Sequence, residues 1–315
     1  ASDVYKRQSF DSLADQSFTV TTADNDIAGF TITETNGSTE VDESGDTDIF
    51  TVVLDAQPAN DVVLSIISSD TGEATVTSIL TFTSANWDTA QTVTVTGVDD
   101  SLLDGSQSSI VTISVVDQNT SDEFDAVADQ TVSVSTTDDD VAGFTIVELD
   151  GSTEVDESGD TDTFTVVLDA QPTSDVVITI TSSDTGEATV TSTLTFTPAN
   201  WDTPQVATIT GVDDDIIDGS QTSTITVSID DANSDDDFDA IADQTVSVST
   251  TDDDVAGFTI TETESGTEVN ESSTTDTFKV VLNAQPTTDV QISVTSADTG
   301  EVTASPATLT FTPAN

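Results

Sequence analysis

The chain has 315 residues, 61 of them Asp or Glu against three Lys or Arg, for a formal charge of −58. That balance argues against nucleic acid, whose phosphates demand a basic footprint, and against anionic membrane surfaces; it favours cations, high solubility and a salty or calcium-containing medium. Cys, Met and His are absent, which removes disulfides, thiolate metal sites, haem ligation and histidine acid–base chemistry, and no apolar run reaches the roughly 18 residues of a membrane-spanning helix.

In chain order, the first segment is foreign in character. SDVYKRQ (Ser2 to Gln8) holds the only Tyr, the only Arg and one of the two Lys. It resembles an in-frame sequencing-adapter read-through, so residues 1–8 are set aside as non-native. Residues 9–26 read as the C-terminal remnant of a preceding repeat, with Phe10 aligned to Phe124. Phe30, Phe144 and Phe258 then recur in the context AGFTI at a spacing of 114 residues (30 to 144, 144 to 258). DQTVSVSTTDDDVAGFTI at Asp129 is repeated unchanged at Asp243. The spacing gives complete repeats over 27–140 and 141–254 and a truncated one over 255–315.

Within a repeat the apolar period is two. The second copy offers seven strand candidates in order: AGFTIVE; DTFTVVLDA, with Phe164, Val166 and Leu168 on one face; DVVITITSS, with Val176, Ile178 and Ile180; TLTFT, with Leu194 and Phe196; VATITGV; STITVSI, with Ile225, Val227 and Ile229; and TVSVS, with Val246 and Val248. They are rich in Thr, Val and Ile and are punctuated by Asp-Gly, Ser-Gly and Thr-Gly pairs. The expected fold is all-β: tandem immunoglobulin-like antiparallel β-sandwiches, each with its own core, as beads on a string. A stacked solenoid is disfavoured, because solenoid units run to only about 20–45 residues.

The acidic residues gather between these strands. In the second copy they are Glu157, Asp184, Asp213-Asp214-Asp215, Asp218 and Asp252-Asp253-Asp254. Antiparallel strands return such loops to one end of a sandwich. Two unit charges about 4 Å apart repel by about 4 kcal/mol at an effective dielectric near 20. Several carboxylates at one tip therefore cost a large part of a domain's stability. A bound cation relieves that cost, and a donor set of oxygens without imidazole or thiolate suits Ca²⁺ rather than zinc, copper or iron.

The ordered pattern VDESGDTDTFTVVLDAQPTSDVVITITSSDTGEAT…LTFTPANWDTPQ…GVDDDIIDGS…DDDVAGFTI resembles the Calx-beta domain of sodium–calcium exchangers, integrin beta subunits and large bacterial surface proteins. The likeness spans nearly all of residues 9–315. It implies calcium ligands at Glu157, Asp184, Asp213, Asp214, Asp218, Asp252, Asp253 and Asp254 in the second copy. In the first copy it implies Glu43, Asp70, Asp99, Asp100, Asp104, Asp138, Asp139 and Asp140. Ser101 replaces the acid found at Asp215, which implies fewer or weaker ions there. Asp24 and Asp26, split by Asn25, and Glu271 with Asp298 mark incomplete sites.

The expected function is a non-catalytic, calcium-binding structural repeat of a large secreted or cell-surface protein. Calcium at the domain seams would stiffen an adhesin-like stalk. The expected partners are calcium ions, neighbouring repeats, and surface glycans or proteins reached through domains outside this chain. One alternative is a glycan-binding module using Trp87 and Trp201, one per copy in ANWD, with the acidic loops. Another is a calcium-sensing regulatory module. A glycosidase carboxylate pair is the least economical reading, since near-identical copies rarely each hold an active site.

Overall fold

A computed structural model describes residue 14, residues 16–263 and residues 266–315. The adapter-like segment 1–8, Phe10 and most of the 9–15 stretch lie outside them. The described residues form two compact units: one runs up to 99 and adds 108–137, and the other joins 100–107 to 138–315.

The first unit is a two-sheet sandwich. One sheet has the order β1 (Phe30–Glu34), β3 (Thr47–Leu54), β7 (Gln91–Gly97), β5 (Ala74–Val76). The other runs β2 (Thr39–Asp42), β9 (Gln130–Thr137), β8 (Gln107–Val115), β4 (Val62–Ser68), β6 (Ile79–Phe82). The second unit repeats the plan. Its first sheet is β10 (Phe144–Glu148), β12 (Thr161–Leu168), β16 (Gln205–Gly211), β14 (Ala188–Val190). Its second sheet is β11 (Thr153–Asp156), β18 (Gln244–Thr251), β17 (Gln221–Ile229), β13 (Val176–Ser182), β15 (Thr193–Phe196).

Two expectations are corrected by this architecture. Each sandwich has nine strands where seven were expected, the additions being the short pairs β2 and β5, and β11 and β14. Nor is the pairing antiparallel throughout: β2 runs parallel to β9, and β11 parallel to β18. The opening strand is split between the sheets. After β10 the chain turns through Gly151, whose φ of +81° suits glycine, and crosses to the opposite sheet. There it meets the last strand running the same way.

Alternation sets the core. Along β12, Phe164, Val166 and Leu168 are buried while their neighbours face outward. Val176, Ile178 and Ile180 of β13, with Ile225 and Val227 of β17, close the layer from the other sheet. Burying each such side chain contributes roughly 1.5–3 kcal/mol. Trp87 and Trp201 are half-buried against the first and second cores respectively.

Among its described residues, the segment 255–315 forms two ladders, β19 (Phe258–Glu262) with β20 (Phe278–Leu282), and β21 (Val290–Ser293) with β22 (Thr308–Phe311). Its apolar residues stay open: Phe258 is 51% and Phe278 39% exposed, against 3% for Phe144 and 0% for Phe164 at the matching positions.

A buried carboxylate closes the bottom of the second sandwich. Asp235 caps a three-residue 3₁₀ turn, Asp236–Phe238, which inserts Phe238 into the core. Its carboxylate accepts from Thr173 Oγ1 at 2.8 Å, from the Ser174 N–H at 2.7 Å and from the Asp237 N–H at 3.3 Å. Burial pushes its pKa up, but those hydrogen bonds outweigh burial and leave it lowered. The stabilisation is therefore present above the ordinary aspartate value near 3.8 and is lost as pH falls below it. Asp235→Ala is expected to cost about 1–3 kcal/mol in urea unfolding at pH 7, with most of that difference gone in strong acid. Equal losses at both pH values would show that the carboxylate's charge is not what matters.

Candidate metal centre

Glu157 is placed by three backbone constraints. It follows β11, and its N–H donates to the Thr251 carbonyl at 3.1 Å, extending the parallel ladder by one residue. Gly211, at the end of β16, lets the Asp156 backbone approach so closely that a Cβ there would lie 1.9 Å from the Asp156 carbonyl oxygen. The side chain is 1% exposed, and its Oε2 has no hydrogen-bond partner. Burial, then Asp214, Asp252, Glu187 and Asp218, push its pKa up to about 7.

The closing triplet supplies the opposite wall. Asp252 accepts from the Gly219 N–H at 2.7 Å and from the Asp254 N–H at 2.8 Å, and these bonds hold its carboxyl below the usual range. Asp254 is pushed upward by burial and then by Asp252, Asp215, Asp253 and Asp214. Its Oδ2 is buried without a hydrogen bond. Glu157, Asp252 and Asp254 each offer one oxygen within 4.8 Å of the others. Oxygens on opposite sides of a Ca²⁺ stand up to about 5 Å apart, given bonds of about 2.3–2.6 Å, so the spacing fits that ion. The all-oxygen donor set fits it too.

The sequence reading missed Glu187. It immediately precedes β14 and is half-buried, with Oε2 lacking a hydrogen bond. Burial raises its pKa first, followed by Asp218, Asp184, Asp214 and Asp252. The group is thus wider on the β14 side than expected, and Asp215 joins it beside Asp254.

Of the other expected residues in this copy, Asp214 is half-buried, with Oδ1 accepting from the Ile216 N–H at 2.6 Å. Asp218 is exposed but acts on both Glu157 and Glu187. Asp184 is exposed and serves its own turn, accepting from the Gly186 N–H at 2.9 Å. Asp213 and Asp253 are exposed.

In the first unit Glu43 is 1% exposed, its N–H donating to the Thr137 carbonyl at 3.1 Å, while Asp70 and Asp99 are exposed. In the second unit Asp138 accepts from the N–H groups of Asp104 at 3.1 Å, Gly105 at 2.8 Å and Asp140 at 2.8 Å, the pattern seen at Asp252. Asp100 and Asp139 there are exposed. Asp24, Asp26, Glu271 and Asp298 are all exposed. Glu271 differs from Glu157 because residues 267–270 form no strand to carry it inward.

No protein-family model matches the chain, and no curated protein sequence matches it. Among solved structures, the S-layer protein SbsC, domains 4 and 5, is similar at 17% identity and a TM-score of 0.29, over 60% of this chain and 76% of that one. The calcium binding domain CBD12 of CALX1.1 is similar at 15% identity and a TM-score of 0.27, over 62% of this chain and 79% of that one. The apo form of the Calx CBD1 domain is similar at 16% identity and 0.25, over 35% and 98%. Scores this low lend none of these likenesses any weight in assigning a function. Among the described residues, no helix is long and apolar enough to cross a membrane.

Proposed function

We propose that the chain is a non-catalytic, calcium-binding structural repeat of the Calx-beta kind, from a secreted or cell-surface protein, in which calcium stiffens a stalk of successive copies. The observation that carries the reading is Glu157: a carboxylate 1% exposed, with Oε2 unpartnered, among further acids. A buried unpartnered carboxylate costs stability unless a cation or proton neutralises it. The single Lys of the described residues, Lys279, is exposed and lies on β20. The ligands in this reading are Glu157, Asp214, Asp218, Asp252 and Asp254, with Glu187 completing the β14 side. Trp87 and Trp201 are half-buried and pack against the two cores, which supports a structural role for them.

An ion that binds only the folded state stabilises it by about 2.7 kcal/mol at a hundredfold excess over Kd. For a domain of this size that is a rise of about 10 °C in Tm. Thermal unfolding of the full chain at pH 8 should show that rise in millimolar calcium relative to chelator. Magnesium should do much less, because it dehydrates reluctantly and demands near-octahedral geometry. Identical melting in calcium and in chelator would discard the reading.

A further inference from the structure

The acidic loop between β16 and β17 has a second attachment, to the copy that follows it. Ile216 and Gln285 form an isolated parallel β-bridge, and the Gln285 N–H donates to the Asp215 carbonyl at 2.5 Å. Gln285 is braced from behind, its Nε2 donating to the Pro313 carbonyl at 2.6 Å. On the loop itself, Ile216 is tied to Asp214 and Gly219 to Asp252. The bridge therefore grips the middle of a segment whose flanks, Asp214 and Asp218, face the metal centre.

The same arrangement occurs a second time within this unit. Leu102 bridges Gln171; the Gln171 N–H donates to the Ser101 carbonyl at 2.7 Å, and the Leu103 N–H donates to the Gln171 carbonyl at 2.9 Å. Gln171 Nε2 donates to the Pro198 carbonyl at 3.0 Å, and Leu103 packs against the second core. Ser101 stands where the other loop has Asp215, and the bridge survives because it uses only that residue's backbone. In the first unit Gln57 makes the same brace to the Ser84 carbonyl at 2.8 Å. The brace is thus a property of each copy, ready for a loop to dock on it.

We propose that Gln285 is a positioning residue for the metal centre of the preceding copy, so that ion binding there and docking of the following copy favour one another. The inference rests on the calcium reading above. The physical basis is shared ordering: fixing the loop costs conformational entropy, and whichever event fixes it first leaves less for the other to lose. Such coupling is reciprocal. Calcium must strengthen the bridge by the same factor by which the bridge strengthens calcium binding.

Hydrogen exchange on the unmodified full chain tests this without touching a ligand. Saturating calcium is expected to slow exchange of the Gln285 amide by about fivefold or more. The Asn283 amide, bonded to the Gly257 carbonyl at 2.9 Å within its own copy, should be unaffected. Gln285→Pro removes the donated N–H and is expected to weaken calcium binding in calorimetry by a matching factor. Gln285→Ala keeps the N–H and should stay closer to wild type. A wild-type chain that takes up no calcium overturns the calcium reading and the coupling together. Calcium uptake with unchanged exchange at Gln285 overturns the coupling alone, as does undiminished affinity in Gln285→Pro.

Discussion

Gly211→Ala is expected to lower the stability of the second sandwich by about 3 kcal/mol or more, at the severe end for a one-methyl change. The added Cβ would lie 1.9 Å from the Asp156 carbonyl oxygen, 2.8 Å from its carbon and 3.4 Å from Val155 Cγ2. None of the backbone involved is free to yield. Gly211 pairs with Ala188 and donates its N–H to the Asp160 carbonyl at 3.0 Å, while Asp156 pairs with Thr251 in the other sheet. Relief requires the two sheets to part at the point where Glu157 is set. Urea unfolding should show the loss, and the calcium-induced rise in Tm should shrink with it. The first copy offers an internal repeat of the test, since a Cβ at Gly97 would lie 1.8 Å from the Asp42 carbonyl oxygen. Wild-type stability in Gly211→Ala would mean that this close approach does not constrain the fold.

Glu157→Gln should have effects of opposite sign in chelator and in calcium. In the fold the carboxyl's pKa is raised to about 7 from an ordinary value of 4.5. A raised acid contributes fully to stability below its unfolded pKa, and that contribution is lost as pH rises through the folded one. At pH 8 without calcium the ionised, buried side chain is thus a burden. Glutamine keeps the shape and removes the charge, so the variant should be more stable than wild type by about 1–3 kcal/mol. With calcium the order should reverse, because wild type gains an ion ligand that the amide supplies only weakly. Melting curves at pH 8 and at pH 5.5, with and without calcium, resolve the four cases. A variant weaker than wild type in chelator, with an unaltered calcium response, would contradict this account of the site.

Much of the fold is legible from period-two alternation, and particular residues show why. Phe164, Val166 and Leu168 share a face in DTFTVVLDA, and all three are buried. The strands that escaped detection are too short to alternate convincingly: β11 turns only Thr153 and Val155 inward, and β14 only Ala188. Parallel pairing of β11 with β18 was not legible, because alternation tells which face a residue takes and not which strand lies beside it. At the site, Glu157 stood out by its loop position. Glu187 did not, because without β14 the run Gly-Glu-Ala reads as a turn and nothing marks it as lying at the sandwich tip. Asp184, read from the same acidic loops, lies three residues upstream, exposed, and adds to the charge that raises the Glu187 pKa.

The parallel pairing of the opening and closing strands has a mechanical meaning. Thr153 to Asp156 lie beside Val248 to Thr251, running in the same direction. Pulling the two ends of the sandwich apart drags these neighbours in opposite senses along their shared axis. Their hydrogen bonds are then loaded in shear, all together, rather than peeled one by one from an edge. Glu157 and Asp252 directly follow the two strands, so an ion held between them would pin that same ladder at the end where the load enters β18.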